Sequence, residues 1–355
     1  DKRLILFFIK IKTLYKKIAS IAIGLFILIG ASIGYYYYQK IFGTSITKEV
    51  VLFVNSTDKL MDLNNKISAV STKKEGFLWV AARKGFSKPK SGRYLLKKEM
   101  SNNDLVNLLR SGNQTPIKLS FNNQDSLEKL ASRIAQQLET DSISLLNSFK
   151  DPAFLSKIKM TEKSVLQIFI PNSYQFYWTT TPQKFRDKIF NEYKRFWNQS
   201  RLTKAAKLNL SINEVITLAS IVQKETTKAI ERPIVAGLYL NRLKKEWPLQ
   251  ADPTIIYCIR EIKGQNYKVK RVLNSDLKIN STYNTYKNKG LPPTLIAMPD
   301  ISAIDAVLNA QKHNYFYMCA DIENIGYHSF TRSLLQHNKN AKRYHRWLNK
   351  QRINR

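Results

Sequence analysis

The run Leu218-Ala219-Ser220-Ile221-Val222-Gln223-Lys224-Glu225-Thr226 sets one carboxylate against a greasy helix face. Ser211 and Glu214 have the Ser-x-x-Glu spacing of a capping box, which starts a helix just before the apolar run. Val215, Leu218, Ala219 and Val222 then recur at helical spacing as a stripe that must be buried. At about 100° per residue, Glu225 falls on the shoulder of that stripe, one turn past Ile221 and Val222. A carboxyl among apolar neighbours is pushed toward its protonated form. Such a group can give up a proton at neutral pH, as a general acid must. The competing reading is an ordinary pair between Glu225 and Lys228 on a solvated face.

Other chemistry-bearing residues follow within about sixty positions of Glu225. Glu231-Arg232 comes next, then Asn241-Arg242 on a further helix, then Gln250-Ala251-Asp252-Pro253-Thr254, which reads as a polar turn. Tyr283-Asn284-Thr285-Tyr286 precedes the rigid Gly290-Leu291-Pro292-Pro293. One acid, several amides and hydroxyls, and flat rings are the make-up of a saccharide cleft, although turn capping and helix packing explain each residue singly. A glycosidase of the usual kind needs two carboxylates at a set separation, and Asp252 is the candidate partner. The aromatic run from Phe169 to Trp178, broken at Pro171-Asn172, suits either sugar stacking or a core strand. His313, His328, His337 and His345 form no metal-ligand spacing, so neither metal nor cofactor is expected. Cys258 and Cys319 could pair outside the cytoplasm, but two free buried thiols are the simpler reading.

The elements that must position these groups divide by composition. With 58 basic and 26 acidic residues, the 355-residue chain carries a formal charge of +32, which calls for a polyanionic neighbour, either nucleic acid or an anionic membrane surface. Residues 18–38 hold no charge and end in four tyrosines, long enough to cross a bilayer and closed by an aromatic belt. Lys2, Arg3, Lys10, Lys12, Lys16 and Lys17 precede the run, so residues 1–17 are expected in the cytoplasm and the rest outside. That topology, with no nucleic-acid-binding motif in view, argues against nucleic acid.

Beyond the anchor the spacing predicts a strand at 49–54, helices at 58–70 and 74–83, and a strand at 92–96. A helix at 102–109 ends at Ser111-Gly112. Leu52, Asn55, Asp58, Leu60, Leu63 and Ile67 recur as Leu119, Asn122, Asp125, Leu127, Leu130 and Ile134 at a constant offset of 67. The match suits duplicated wall-binding modules or two βα units with generic patterning. Further helices are expected at 142–159, 185–197, 211–226, 233–244 and 302–310, with a strand at 315–319. Helices and strands without βαβ alternation predict an α+β fold.

The blocks quoted around Glu225, with Asn241-Arg242-Leu243, Asp252-Pro253-Thr254-Ile255-Ile256-Tyr257, Tyr283-Asn284-Thr285-Tyr286, Gly290-Leu291-Pro292-Pro293, His328-Ser329-Phe330 and His337-Asn338, resemble in order the YceG-like (MltG-type) family of membrane-bound endolytic murein transglycosylases. The resemblance covers nearly the whole chain. It implies a cytoplasmic tail at 1–17, a transmembrane helix at 18–38 and a small LysM-like βααβ subdomain at 45–98. A βα connecting region at 99–160 and a larger mixed α+β catalytic domain at 161–355 would follow. Gln223 stands where some members carry Glu, and Asn172-Ser173 where the family has Asp-Thr. By resemblance Glu225 is the acid/base, and Gln223, Asn241, Arg242, Gln250, Asp252, Thr254, Tyr283, Asn284, Tyr286, His328 and Asn338 bind glycan or shape its cleft.

The implied reaction is non-hydrolytic. The β-1,4 bond between N-acetylmuramic acid (MurNAc) and N-acetylglucosamine (GlcNAc) is cleaved, with closure of a 1,6-anhydro ring, which would end the elongation of nascent strands. The implied partners are peptidoglycan strands, the inner membrane and peptidoglycan synthases (penicillin-binding proteins), with no nucleic acid. A lysozyme-like hydrolase using Asp252 and a non-catalytic peptidoglycan-binding membrane protein are the alternatives.

Overall fold

The structure is a computed structural model that describes residues 2–73 and 75–350, the last three of these in backbone only. Lys74, at the expected start of the second short helix, and residues 351–355, the end of the basic C-terminal run, lie outside the described residues. The fold is mixed α+β, in two compact units: residues 1–117 with 177–179, and residues 118–176 with 180–355.

The first unit opens with α1 (Lys2–Phe42), one continuous helix whose apolar stretch is long enough to cross a membrane and buries nothing within the chain. The helix extends past both ends of the charge-free run, because no residue between Lys2 and Phe42 breaks it. Strand β1 (Val50–Val54) follows, then α2 (Leu60–Ser68), α3 (Gly76–Arg83) and β2 (Gly92–Leu96). β1 and β2 pair antiparallel, Val50 opposite Leu96 and Val54 opposite Gly92. Alternation turns Leu52 and Val54 inward, onto a core that includes Leu63, Ile67, Phe77 and Tyr94. Helix α4 (Asn102–Ser111) adds Leu105 and Leu109 to this core. Its Ser101–Asp104 capping box starts it, and Gly112 stops it at φ +73°, a left-handed backbone natural to glycine.

The second unit begins with the second copy of the repeat, β3 (Ile117–Phe121) and α5 (Leu127–Ala135). Both element boundaries are shifted from β1 and α2 by the sequence offset, and Leu119, Leu130 and Ile134 are as buried as Leu52, Leu63 and Ile67. The expected helix at 142–159 is two helices, α6 (Ser142–Phe149) and α7 (Pro152–Ile158). The break lies at Asp151-Pro152, where the aspartate caps and the proline opens the second helix. β4 (Asn172–Phe176), the centre of the aromatic run, pairs with β3.

Helices α8 (Pro182–Phe196) and α9 (Gln199–Lys207) lead to α10 (Ile212–Glu225), which carries Glu225 as its last residue. Every residue of α10 from Val215 to Gln223 is buried, so α10 is the central helix of this unit rather than a surface one. It packs against α11 (Arg232–Lys244), α12 (Asp252–Lys263) and α13 (Ile301–Leu308). The 250–254 segment, read from sequence as a polar turn, is the start of α12: Pro253 in the first turn costs no hydrogen bond and presets the helical φ. The hairpin β5 (Tyr317–Ala320) and β6 (His328–Thr331), paired Tyr317 to Thr331 and Ala320 to His328, and α14 (Leu334–Lys350) complete the unit. Cys258 and Cys319 are free thiols.

The buried repeat positions yield a stability expectation. Replacing Ile134 by Ala should cost about 2–5 kcal/mol, the usual loss for a buried aliphatic side chain. Ile143→Ala, at a position 70% exposed, should stay within about 0.5 kcal/mol. Denaturant midpoints of the full chain in detergent decide; equal losses at both sites would contradict the burial described.

Candidate active site

Helix α10 ends at Glu225 because Thr226 is extended, and that end is tied down on both sides. The Thr226 hydroxyl donates to the buried Glu231 carboxylate at 2.9 Å. Glu231 also accepts from the backbone N–H of His328 at 2.7 Å and faces its Nδ1 at 3.1 Å, so β6 is fastened to the end of the helix. On the other side, Lys224 reaches Asp125 at 2.6 Å, and Asp125 also takes Arg260 of α12 at 3.3 Å. Burial works against the Asp125 carboxylate, yet its bond to Lys224 and the nearby cations hold its pKa below the ordinary value.

Glu225 itself keeps partial exposure, yet it sits among enough protein to lose most of its hydration. The Tyr239 hydroxyl, from the middle of α11, donates to Glu225 Oε1 at 2.5 Å. Burial pushes the Glu225 pKa up to about 7; the Tyr239 bond opposes this, Asp252 adds to it, and Arg242 opposes it. The negative end of the α10 dipole, where Glu225 stands, also disfavours its anion. With Oε1 taken by Tyr239, the proton of the neutral acid belongs on Oε2. Tyr239 is fully buried, and desolvation followed by the nearby Glu225 carboxyl raises its own pKa, so it stays a donor.

Two further groups complete the site. Arg242 is buried and held by main-chain carbonyls: Nε and Nη2 bind Phe316 O at 2.8 and 2.6 Å, and Nη1 binds Leu249 O. Asp252, exposed at the start of α12, accepts from the Tyr286 hydroxyl at 2.6 Å. Desolvation and then the Asp252 charge raise the Tyr286 pKa well above its ordinary value, so it too remains a hydroxyl donor. Glu225, Arg242, Asp252 and Tyr286, all singled out from sequence, thus stand within electrostatic reach of one another. Tyr239 and Asp125 are the contributors that the sequence does not place at the site, whereas Glu231 belongs to the Glu231-Arg232 pair it singles out. Tyr239 lies on a helix stripe where a tyrosine reads as core, and Asp125 lies a hundred residues upstream.

The remaining sequence-derived residues build the frame. Gln223 is consumed by main chain: Nε2 donates to Met298 O at 3.3 Å, and Oε1 accepts from Asp300 N–H. Asn241 donates to the carbonyls of His313 and Tyr315 at 2.8 and 3.1 Å. The same segment presses on α11 at Gly237, where a Cβ would stand 2.2 Å from Gln311 O, so no other residue fits. Thr254 binds the Thr285 hydroxyl at 2.8 Å, and Gln250 N–H donates to Thr285 O at 3.0 Å. Asn284, fully buried, donates to the carbonyls of Leu277 and Ile279 and accepts from Tyr286 N–H at 2.9 Å. These bonds stitch the 281–288 loop to the start of α12 and so bring Tyr286 onto Asp252. Tyr283 is buried against Tyr257, its hydroxyl 2.6 Å from Thr294. His328 is bound to Glu231, and the Gln250 and Asn338 side chains are exposed.

The sequence profile of the YceG-like family matches residues 53–343, most of the chain. The chain belongs to the YceG-like family. It is 28% identical over 305 residues to the endolytic murein transglycosylase of Bacillus subtilis, covering 82% of this chain and 82% of that protein. It is 26% identical over 324 residues to the endolytic murein transglycosylase of Streptococcus pneumoniae (strain D39), covering 81% of this chain and 58% of that longer protein. The crystal structure of a YceG-like protein from Listeria monocytogenes shares the fold, with a TM-score of 0.55 and 24% identity over 82% of this chain and 98% of that one.

The arrangement around Glu225 makes a direct expectation about titration in this YceG-like chain. Infrared difference spectra between the unmutated chain and Glu225→Gln should show a protonated carboxyl that titrates near pH 7. Tyr239→Phe removes a bond that favours the anion, so the midpoint should rise by roughly one unit or more. A midpoint that falls, or does not move, would contradict the assigned balance. The folded-state value lies above the ordinary 4.5. The contribution of this group to stability is therefore full below about pH 4.5 and is lost as pH rises through about 7.

Proposed function

We propose that this chain is an endolytic murein lytic transglycosylase and that Glu225 serves it as both acid and base. The observation that carries the reading is a largely desolvated, partly exposed carboxyl, bonded on one oxygen by Tyr239 and within electrostatic reach of Asp252, surroundings whose net effect pushes its pKa up to about 7. Family membership and the names of the relatives support the substrate class.

Glu225 Oε2 gives its proton to the oxygen of the β-1,4 bond between MurNAc and GlcNAc. The C1–O bond breaks, the GlcNAc end leaves as an alcohol, and positive charge spreads over C1 and the ring oxygen of the muramyl residue. The C6 hydroxyl of the same sugar then attacks C1, and its proton returns to Glu225. The products are a 1,6-anhydromuramyl end and the regenerated acid. A single carboxyl suffices because the nucleophile is intramolecular and already placed. Between the two proton transfers Glu225 is an anion, and the Tyr239 bond and the Arg242 charge are worth most at that moment. Asp252, oriented by Tyr286, supplies negative charge for the developing cation. Gln223, Asn241, Thr254, Tyr283 and Asn284 hold the walls, and Gln250, His328 and Asn338 are offered to the glycan.

The functional division in this reading is a cytoplasmic tail at 1–17, a membrane span at 18–38, a LysM-like glycan-binding subdomain at 45–98, a connecting region at 99–160 and the catalytic part at 161–355. The observed strand–helix–helix–strand order from β1 to β2 supports the LysM-like assignment. The basic residues ahead of the apolar run support a bacterial cytoplasmic membrane protein with its catalytic part on the outer face, where it would end growing strands beside peptidoglycan synthases.

The test is mass spectrometry of peptidoglycan digested by the full chain in detergent and by Glu225→Gln. Muramyl ends lighter by one water, lost in the variant, are expected. Hydrated reducing ends that vanish with Asp252→Asn would make the protein a lysozyme-like hydrolase, and no new ends from either folded chain would make it a binding protein. Because the active form is the protonated one, kcat/KM should fall about tenfold per pH unit above about pH 7. A flat profile up to pH 9 would remove Glu225 from the proton-donor role.

A further inference from the structure

The C-terminal end of α1 carries a cavity of about 450 Å³ that the proposed reaction does not use, bordered by Tyr36, Gln39, Lys40, Thr72, Lys73 and Gly76. The chain binds this helix end tightly. Lys73 Nζ donates to Gln39 O at 2.8 Å and to Gln39 Oε1 at 2.9 Å, and Asn102 Nδ2 donates to Lys40 O at 3.0 Å. The Gln39 bonds engage two of the three N–H groups of Lys73, so one more can meet a ligand. Gly76 admits the Asn102 side chain to its bond with Lys40 O, since a Cβ there would stand 2.0 Å from Asn102 Nδ2.

Tyr36 and Lys40 on the cavity border lead into a layer of cations and rings beside it. Lys40 Nζ lies 5.7 Å from the Tyr36 ring and 5.9 Å from the Trp79 ring. Arg83 lies 4.9 Å from the Trp79 ring, which Tyr37 stacks on at 5.4 Å. The contacts of Lys40, Lys73 and Arg83 described here are to rings and amide oxygens, not to carboxylates. Of the residues lining the cavity only Glu75 is acidic, and it is exposed.

Depth along the helix fixes what such a site would meet. The tyrosines at 35–38 close the apolar run, and Lys40 follows two residues later, about 3 Å farther along the axis. If α1 spans the bilayer, this is the level where the hydrocarbon ends and headgroup phosphates begin. We propose that the cavity at the end of α1 binds the phosphodiester headgroup of an anionic phospholipid, with Lys40 and Lys73 on the phosphate and Tyr36 against the glycerol. This rests on the reading of α1 as a membrane span and is independent of the reaction at Glu225. The bound lipid would fix the height and tilt at which the first unit leaves the membrane.

The experiment uses the full chain in phosphatidylcholine nanodiscs doped with spin-labelled phosphatidylglycerol or, separately, spin-labelled phosphatidylcholine. An immobilised component is expected for phosphatidylglycerol only. Lys40→Gln with Lys73→Gln should reduce its association about tenfold, while Lys287→Gln, an exposed lysine of the second unit, should leave it unchanged. Both altered side chains reach solvent, and circular dichroism checks that the double variant folds. Equal immobilisation of the two lipids, or no effect of the double variant, would overturn the proposal. Loss of the signal on adding inorganic phosphate would make the cavity a free-anion site instead. Release of the chain from membranes by alkaline carbonate would overturn the membrane span itself, and this proposal with it.

Discussion

A carboxyl group that has lost most of its water stays neutral near pH 7 only while no cation is free to pair with it. Around Glu225 that condition is met by how Arg242 is used. The guanidinium is close enough to be felt, yet three of its five N–H groups, on Nε, Nη1 and Nη2, are held by the carbonyls of Phe316 and Leu249. Had those carbonyls been absent, the same arginine could swing onto Glu225 and turn it into a permanent anion. Tyr239 provides a milder contact: a neutral hydroxyl bond lowers the pKa without fixing the charge. The site therefore depends on main-chain groups that restrain a cation as much as on the acid itself.

That restraint explains why so many polar residues near Glu225 face backbone rather than open space. Gln223 holds the 298–300 segment, Asn241 the 313–315 segment, and Asn284 the loop that offers Tyr286. The first two tie irregular stretches to helices and the third folds its loop on itself, all with bonds that would be costly to leave unmade in a buried place. Under the proposed function these residues act by fixing geometry, and only Glu225, Asp252, Tyr286 and the exposed side chains are left to meet a glycan.

The sequence revealed the parts governed by local rules. The capping box at Ser211 and Glu214, the apolar stripe behind Glu225 and the glycine stop at Gly112 follow from neighbours a turn away, and all are present in the fold. It did not reveal what depends on distant partners. The 250–254 segment reads as a polar turn, and it is the bonds among Ala251, Thr254 and Thr285 that accompany its helical start. Tyr239 could not be told from a core residue, because core packing and a bond to the Glu225 carboxyl both place a tyrosine on the inner stripe of α11.

The repeat shows how one local pattern can serve two ends. In the first copy Asp58 accepts from Asn55 N–H and pairs with Lys66 on the helix it precedes, so the unit closes on itself. At the same offset the second copy places Asp125 before α5 and Arg133 where Lys66 would be. Arg133 instead donates to Gln136 Oε1, and Asp125 turns to Lys224 and Arg260. A short-range ion pair has become a long-range one that joins the last turn of α10 to α12, the helices that carry Glu225 and Asp252. Since an ion pair at a half-buried site gains most where its partners are already held in place, the second copy transfers the rigidity of a βα unit to the two carboxylates of the site.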